Sequence, residues 1–283
     1  MATPDPVQFA VERQSGALAG EVLGEGPPIL LLHGITATRR YVVHGSKVLA
    51  RAGYAQLTYD ARGHGRSDPA PPGEGYAYRE LVSDLEAVVE AHADDARFIL
   101  GGHSMGAHTV LGYALEHAER VAGLIVIGPA YMGFVDPDAL HSWDRLADGL
   151  DRGGVEGFIE AFDRGLDPAW RDVVLRFTRE RMNEHLHLDA LAQALREVPR
   201  SAPFDAMSDL EFLAVPALVV ASHDVADPGH PYAVAAAYAE AMPGARLISE
   251  EEGSSPLAWQ GGRLARAIAE FADSAEVRSR LAS

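Results

Sequence analysis

The stretch Phe98-Ile99-Leu100-Gly101-Gly102-His103-Ser104-Met105-Gly106-Ala107 carries an apolar strand straight into Gly-x-Ser-x-Gly and on into an alanine-rich helix. The pentapeptide alone says little, because small-residue runs are common. Flanked by a strand and a helix it specifies a tight, strained turn with Ser104 standing at a helix N-terminus. Gly102 and Gly106 permit the close backbone approach such a turn needs, and the helix end favours negative charge beside the serine. The ordinary alternative is a glycine-rich strand–helix connection with an incidental serine.

Two further strand ends run into motifs of the same kind. Ile29-Leu30-Leu31-Leu32 leads into His33-Gly34-Ile35-Thr36, where a glycine lets the loop fold back on Ser104. The backbone N–H groups of Ile35 and Met105 are then both available to a developing oxyanion. Tyr59-Asp60-Ala61-Arg62-Gly63-His64-Gly65-Arg66-Ser67-Asp68-Pro69 follows the next strand and is dense in turn formers. His33 and His64 read as hydrogen-bonded loop anchors rather than bases.

Short runs rich in Val, Ile and Leu alternate with helical patterns. Strands are expected at 7–12, 17–23, 28–33, 55–60, 97–102, 122–127, 216–222 and 246–249, and helices at 40–52, 78–92, 105–117, 232–242 and 256–271. The first two strands alternate polar and apolar residues, as an edge hairpin does. The later ones are continuous apolar runs, as in strands covered on both faces. Strand–helix alternation predicts an α/β fold, a mostly parallel eight-stranded sheet flanked by helices. Residues 131–213 break the rhythm with helical patterns, many charges and the aromatics Trp143, Phe158, Phe162, Trp170 and Phe177. They are expected to form an inserted helical cap, with 1–130 and 214–283 as the core.

Composition narrows the function classes. The 283 residues include no cysteine, which excludes disulfides, thiolate nucleophiles and thiolate metal sites. A net charge of −17, from 24 basic and 41 acidic side chains, disfavours nucleic acid and anionic lipid as partners. No apolar run approaches the roughly 20 residues of a spanning helix, and no secretory signal is visible, so a cytoplasmic location is expected. No Gly-x-Gly-x-x-Gly follows the first strand and no phosphate-binding loop occurs, so no cofactor is expected. His185-x-His187 beside Glu184 suggests a metal only weakly, because that spacing spreads the rings apart on a helix.

His-Gly after one strand, Asp-x-Arg-Gly-His-Gly-x-Ser after the next and Gly-His-Ser-Met-Gly after the third together resemble the α/β-hydrolase superfamily, over roughly residues 7–271. The similarity is to its capped esterase, lactonase and enol-lactonase-like members. It implies a serine nucleophile, Ser104, with an oxyanion hole from the Ile35 and Met105 amides. It also implies an acid after a late strand and a histidine after the last. The acid maps to Asp224 in Val219-Val220-Ala221-Ser222-His223-Asp224, with Asp227 the second choice. The histidine position is occupied by Ser254, and no histidine follows His230. A neutral serine hydroxyl needs a base. His230 shares the loop of Asp224 and is the first substitute considered. Also considered are His185 and His187 on the cap, and Glu250, Glu251 or Glu252, whose ordinary reading is a solvated acidic loop. His103 is expected to support the elbow and His108 to run along the helix. The implied activity is hydrolysis of a small ester, lactone or thioester with an atypical triad. The rival readings are a catalytically impaired binding or regulatory protein and a lyase-type enzyme on the same fold.

Overall fold

The structure is a computed structural model, and it describes residues 5–93, 96–164, 166–224, 226–252, 259 and 261–283. Eight strands form one sheet: β1 (Val7–Val11), β2 (Leu18–Leu23), β3 (Pro28–Leu32), β4 (Ala55–Tyr59), β5 (Phe98–His103), β6 (Val121–Ile127), β7 (Ala217–Val220) and β8 (Arg246–Ile248). Their order is β1-β2-β4-β3-β5-β6-β7-β8. The β1–β2 and β2–β4 pairings are antiparallel and every other pairing is parallel. All eight expected strands are present, and the two alternating ones make the edge hairpin.

The apolar runs bury both faces because alternate residues enter different cores. Leu30, Leu32, Leu100, Leu124, Val126 and Val219 point to one side. Ile29, Leu31, Ile99, Ile125, Ile127, Leu218 and Val220 point to the other. The first core is closed by α2 (Tyr78–His92), α3 (Met105–Glu116) and α7 (Tyr232–Ala241). The second is closed by α1 (Val48–Arg51), α8 (Gly261–Ala272) and α9 (Ala275–Leu281).

Between β6 and β7 the chain forms α4 (Pro137–Phe162), α5 (Arg171–Met182) and α6 (Leu188–Glu197). Gly153 and Gly154 kink α4, Gly154 at φ 59°. Phe158 is fully buried and stacks on Phe162 inside this insertion, so it fills the insertion's own core rather than an open pocket. That core also contains Ile35, Tyr78, Leu81 and Met105, which seats the insertion on the turns at the strand ends.

One helix is shorter than its pattern. The expected 40–52 helix is a single 3-10 turn at Arg39–Tyr41, then α1. His44 and Gly45 between them both take positive φ, 47° and 69°, which no helix tolerates. Arg39 is also drawn off axis, its N–H donating to Asp60 Oδ1 at 2.7 Å and its guanidinium pairing with Asp60. The expected 256–271 helix begins, within the described residues, at Gly261.

The Asp60-to-Ser67 motif is a structural lock. Asp60 is 1% exposed and accepts the N–H of Arg66 at 3.0 Å, while a Cβ on Gly65 would lie 2.3 Å from the Asp60 carboxyl carbon. Arg62 forks onto Asp84 of α2 (Nε–Oδ2 2.7 Å, Nη2–Oδ1 2.6 Å), and Arg13 pairs with the same carboxylate. Arg62 and Asp84 are 2% and 0% exposed, so neither charge has water to fall back on. Arg62→Met is therefore expected to cost about 3 kcal/mol, read as a lowered guanidinium midpoint at unchanged slope. A loss under about 1 kcal/mol would show that Arg13 alone satisfies Asp84.

Candidate active site

The parallel registers bring three strand ends level: Leu32 opposite Gly102, His103 opposite Ile127, and Ile127 opposite Val220. The loops leaving β3, β5, β6 and β7 thus meet at one edge, where open α/β sheets place their ligands. Ser104 lies at that edge between β5 and α3. Its backbone is at φ 53°, ψ −115°, a region non-glycine residues avoid. The turn is held from both sides: Ser104 N–H donates to Ile127 O at 2.9 Å and Ser104 O accepts from His108 N–H at 3.0 Å. A Cβ on Gly102 would lie 2.2 Å from the Gly106 carbonyl carbon, and one on Gly106 would lie 2.4 Å from Leu32 O. No side chain larger than hydrogen fits at either position.

The loop after β3 is pressed onto this turn, with an added Gly34 Cβ falling 3.3 Å from Ser104 Cβ. Gly34 O accepts from His33 Nδ1 at 2.8 Å and from Ala37 N–H at 2.9 Å. A trans peptide carries its N–H opposite its C=O, so fixing Gly34 O also fixes the direction of the Ile35 N–H. His33 Nε2 accepts the Ala61 N–H at 2.9 Å, so the ring is neutral with its proton on Nδ1. Burial, assisted by neighbouring His64, pushes its pKa down to about 3. His64 contacts Ile35 O at 2.7 Å and Arg62 O at 2.9 Å, and burial lowers its pKa as well. Both histidines are loop anchors, and neither is a base. Met105 N–H is the first donor of α3, which no helical carbonyl satisfies. Among the described residues neither it nor the Ile35 N–H has a protein acceptor.

The structure sorts the other histidines. His108 accepts the Ala130 N–H on Nε2 at 3.1 Å, so its proton is on Nδ1, which donates to the Tyr78 hydroxyl oxygen at 2.9 Å, and burial pushes it down to about 3. His185 accepts the Gly65 N–H on Nδ1 at 3.0 Å and approaches Thr36 O with Nε2. It is buried with its pKa well below normal, which removes it as a substitute base. His187 stands outside these contacts, at the N-terminal end of α6. His103 turns between Gly34 and Gly128 and meets the His230 ring, with centroids 4.9 Å apart. Burial and then the His230 charge push it down to about 3.

His230 is thus brought to the residue adjoining Ser104, but its carboxylate partner is not Asp224. His230 Nδ1 pairs with Asp227 Oδ2 at 2.8 Å. Asp224 instead accepts the Ala226 N–H on Oδ1 at 2.8 Å, a turn-closing bond. The reason is local: His230 N–H donates to Asp227 O, and that turn sets the two side chains, three residues apart, side by side. Burial opposes the charge on Asp227, yet the hydrogen bond and charge of His230 outweigh it and leave the pKa below the usual carboxylate value.

Ser254 lies outside the described residues. Of the acidic run, Glu250 is not solvated: it is 3% exposed, and its Oε1 takes Ser222 Oγ at 2.8 Å and the His223 N–H at 2.5 Å. That bracing of the end of β7 corrects the acidic-loop reading for this residue. Glu251 and Glu252 are exposed. His103, Asp227 and His230 offer ligand atoms within 4.8 Å of one another, a set that could hold a transition metal. Here Asp227 and His230 are already spent on each other.

The sequence pattern of the α/β hydrolase fold family matches residues 27–238. The chain belongs to this family. Epoxide hydrolase B of Mycobacterium tuberculosis is 33% identical over 109 residues, 38% of this chain and 30% of that protein. RutD of Variovorax paradoxus, a candidate carbamate hydrolase, is 30% identical over 71% of this chain and 74% of its own length. The chain therefore spans under a third of the first relative and about three quarters of the second. The enol-lactonase of Burkholderia xenovorans superposes with a TM-score of 0.72 at 22% identity, over 92% of this chain and 97% of that one, a likeness of fold. Among the described residues no helix is long and apolar enough to cross a membrane.

The buried rings set a pH dependence. Their folded pKa values lie near 3 for His33 and His108 against about 6.5 unfolded. Their contribution is complete above the unfolded value and is lost as pH falls from there towards 3. Between pH 7 and pH 5, urea unfolding should show a loss of roughly 1–2 kcal/mol for each ring. Stability unchanged to pH 5 would mean these histidines titrate normally in the fold.

Proposed function

We propose that the protein is a serine hydrolase of carboxylic esters, lactones or thioesters, with a His230–Asp227 pair as its proton-handling unit. The observation that carries this reading is the strained Ser104 at the head of α3, with the Gly34 backbone against it and the His230 ring one residue away. Ser104 Oγ attacks the substrate carbonyl as its proton passes to His230 Nε2. The carbonyl oxygen becomes an oxyanion between the Ile35 and Met105 amides, where two preset donors lower the barrier. The tetrahedral intermediate expels the alcohol or thiol, which takes the proton back from His230. Water then repeats the sequence on the acyl-serine and releases the acid. Asp227 holds the proton on Nδ1, so that Nε2 is the basic nitrogen, and stabilises the imidazolium. The insertion between β6 and β7 forms the cap over this edge.

Epoxide and carbamate hydrolysis, named for two of the relatives, fit an activated nucleophile at this turn, and a chloroperoxidase-like protein of Synechocystis is also among the relatives. Ester hydrolysis by Asp227→Asn and Asp224→Asn separates the two acids. Asp227→Asn is expected to lower kcat by on the order of 10⁴, and His230→Ala by at least as much. Asp224→Asn leaves the His230–Asp227 pair in place and is expected to change kcat by no more than about tenfold. A collapse in Asp224→Asn with Asp227→Asn near wild type would overturn the assignment.

A further inference from the structure

Arg181, on the last turn of α5, makes no hydrogen bond or ion pair through its side chain among the described residues, and its Nε is withdrawn from solvent. The chain places it deliberately. Glu184, three residues on, takes Thr38 Oγ1 at 2.9 Å and Tyr41 OH at 3.3 Å, and Leu186 N–H donates to Gly65 O at 3.0 Å. These bonds fasten the end of α5 to the loop that follows β3. On its other side the guanidinium acts on Asp227 and His103: its charge lowers the pKa of both, while Asp227 works to raise that of Arg181. The adjacent Met182 packs in one core with Ile35 and Met105, so the last turn of α5 lies over the same edge as Ser104.

A buried Nε–H with no acceptor is costly unless something completes it. Asp227 does not, because it stays beyond ion-pair distance and is engaged by His230. Four arginines of the insertion do have carboxylate partners, Arg171 with Asp163, Arg179 with Glu156, Arg196 with Asp148 and Asp151, and Arg200 with Asp144. The planar fork of an arginine matches a carboxylate in two parallel hydrogen bonds. A single guanidinium balances a single negative charge. With a net charge of −17 the surface does not draw anions in, so such a ligand must be held by local contacts.

We propose that Arg181 is the substrate-recognition residue for a carboxylate, so that the preferred substrates are esters or lactones carrying a free carboxylate away from the scissile bond. This rests on the serine-hydrolase reading for its turnover arm, and on binding alone for its second arm.

The first arm compares monomethyl glutarate with its uncharged analogue methyl pentanoate, following methanol release by wild type, Arg181→Met and Arg181→Lys. The ratio of kcat/KM, charged over uncharged, is expected to fall about 10- to 100-fold in Arg181→Met. Most of that should appear in KM, and Arg181→Lys should recover part of it. The second arm titrates glutarate itself into Ser104→Ala and into Ser104→Ala with Arg181→Lys, where turnover is irrelevant. Binding is expected to weaken at least tenfold on losing the fork. If wild type hydrolyses neither ester while glutarate binding still depends on Arg181, the hydrolase reading fails and the carboxylate site stands. If both esters are cleaved with a ratio that Arg181 does not affect, or if glutarate does not bind Ser104→Ala, the carboxylate site is overturned. Should Arg181→Met fail to fold, the Arg181→Lys ratio decides: an unchanged value overturns the proposal.

Discussion

The first turn of α3 sits so close to the ends of β3 and β5 that Gly106 lies against the carbonyl of Leu32, and Gly102 against Gly106 itself. That contact forces Ser104 into a positive-φ conformation and aims the N-terminus of α3 at the sheet edge. It also brings Gly34 up to the serine. Backbone strain of this kind costs on the order of 1–3 kcal/mol and persists only where the surroundings over-determine it. Here they do: parallel strands on both sides of β5, a hydrogen bond into Ile127, and two apolar cores beneath.

Around this turn the buried polar groups divide by role. Arg62, Asp84, Asp60, His33, His64, His108 and His185 are hydrogen-bonded and hold loops in place. Their rings are neutral, since burial penalises the imidazolium and most of their hydrogen bonds can be met by one tautomer. His230 and Asp227 differ, being paired to each other nearer the surface of the same edge. Arg181 is the third kind, a charge held in place without an internal partner.

The fold is legible because continuous apolar runs and glycine-rich strand ends are local signals. The strands over 28–32, 98–103 and 121–127 each announce themselves without reference to their neighbours. The apolar pattern over 40–52 is helical, while His44-Gly45 and the pull of Asp60 on Arg39 act against a continuous helix there. Ser104, Ile35 and Met105 could be placed from the Gly-x-Ser-x-Gly and His-Gly contexts. Asp224 matches the family register because it follows a strand, and that register says nothing of which carboxylate the turn delivers to His230. The Asp-x-x-His spacing was the available signal, since a tight turn sets such residues side by side. Glu250 and Arg181 left no local signature, because their environments are made by Ser222 and His223 in one case and by the insertion's docking in the other.

The proposed mechanism requires Ser104 to be activated through His230 rather than merely exposed by the turn. The most direct measurement is the rate at which a fluorophosphonate modifies Ser104 in the wild type and in His230→Ala, with the site of labelling located by peptide mass. The account predicts rapid labelling at Ser104 that slows by on the order of a thousandfold or more when His230 is removed. Equal rates in the two proteins, or no labelling of the folded wild type, would contradict it.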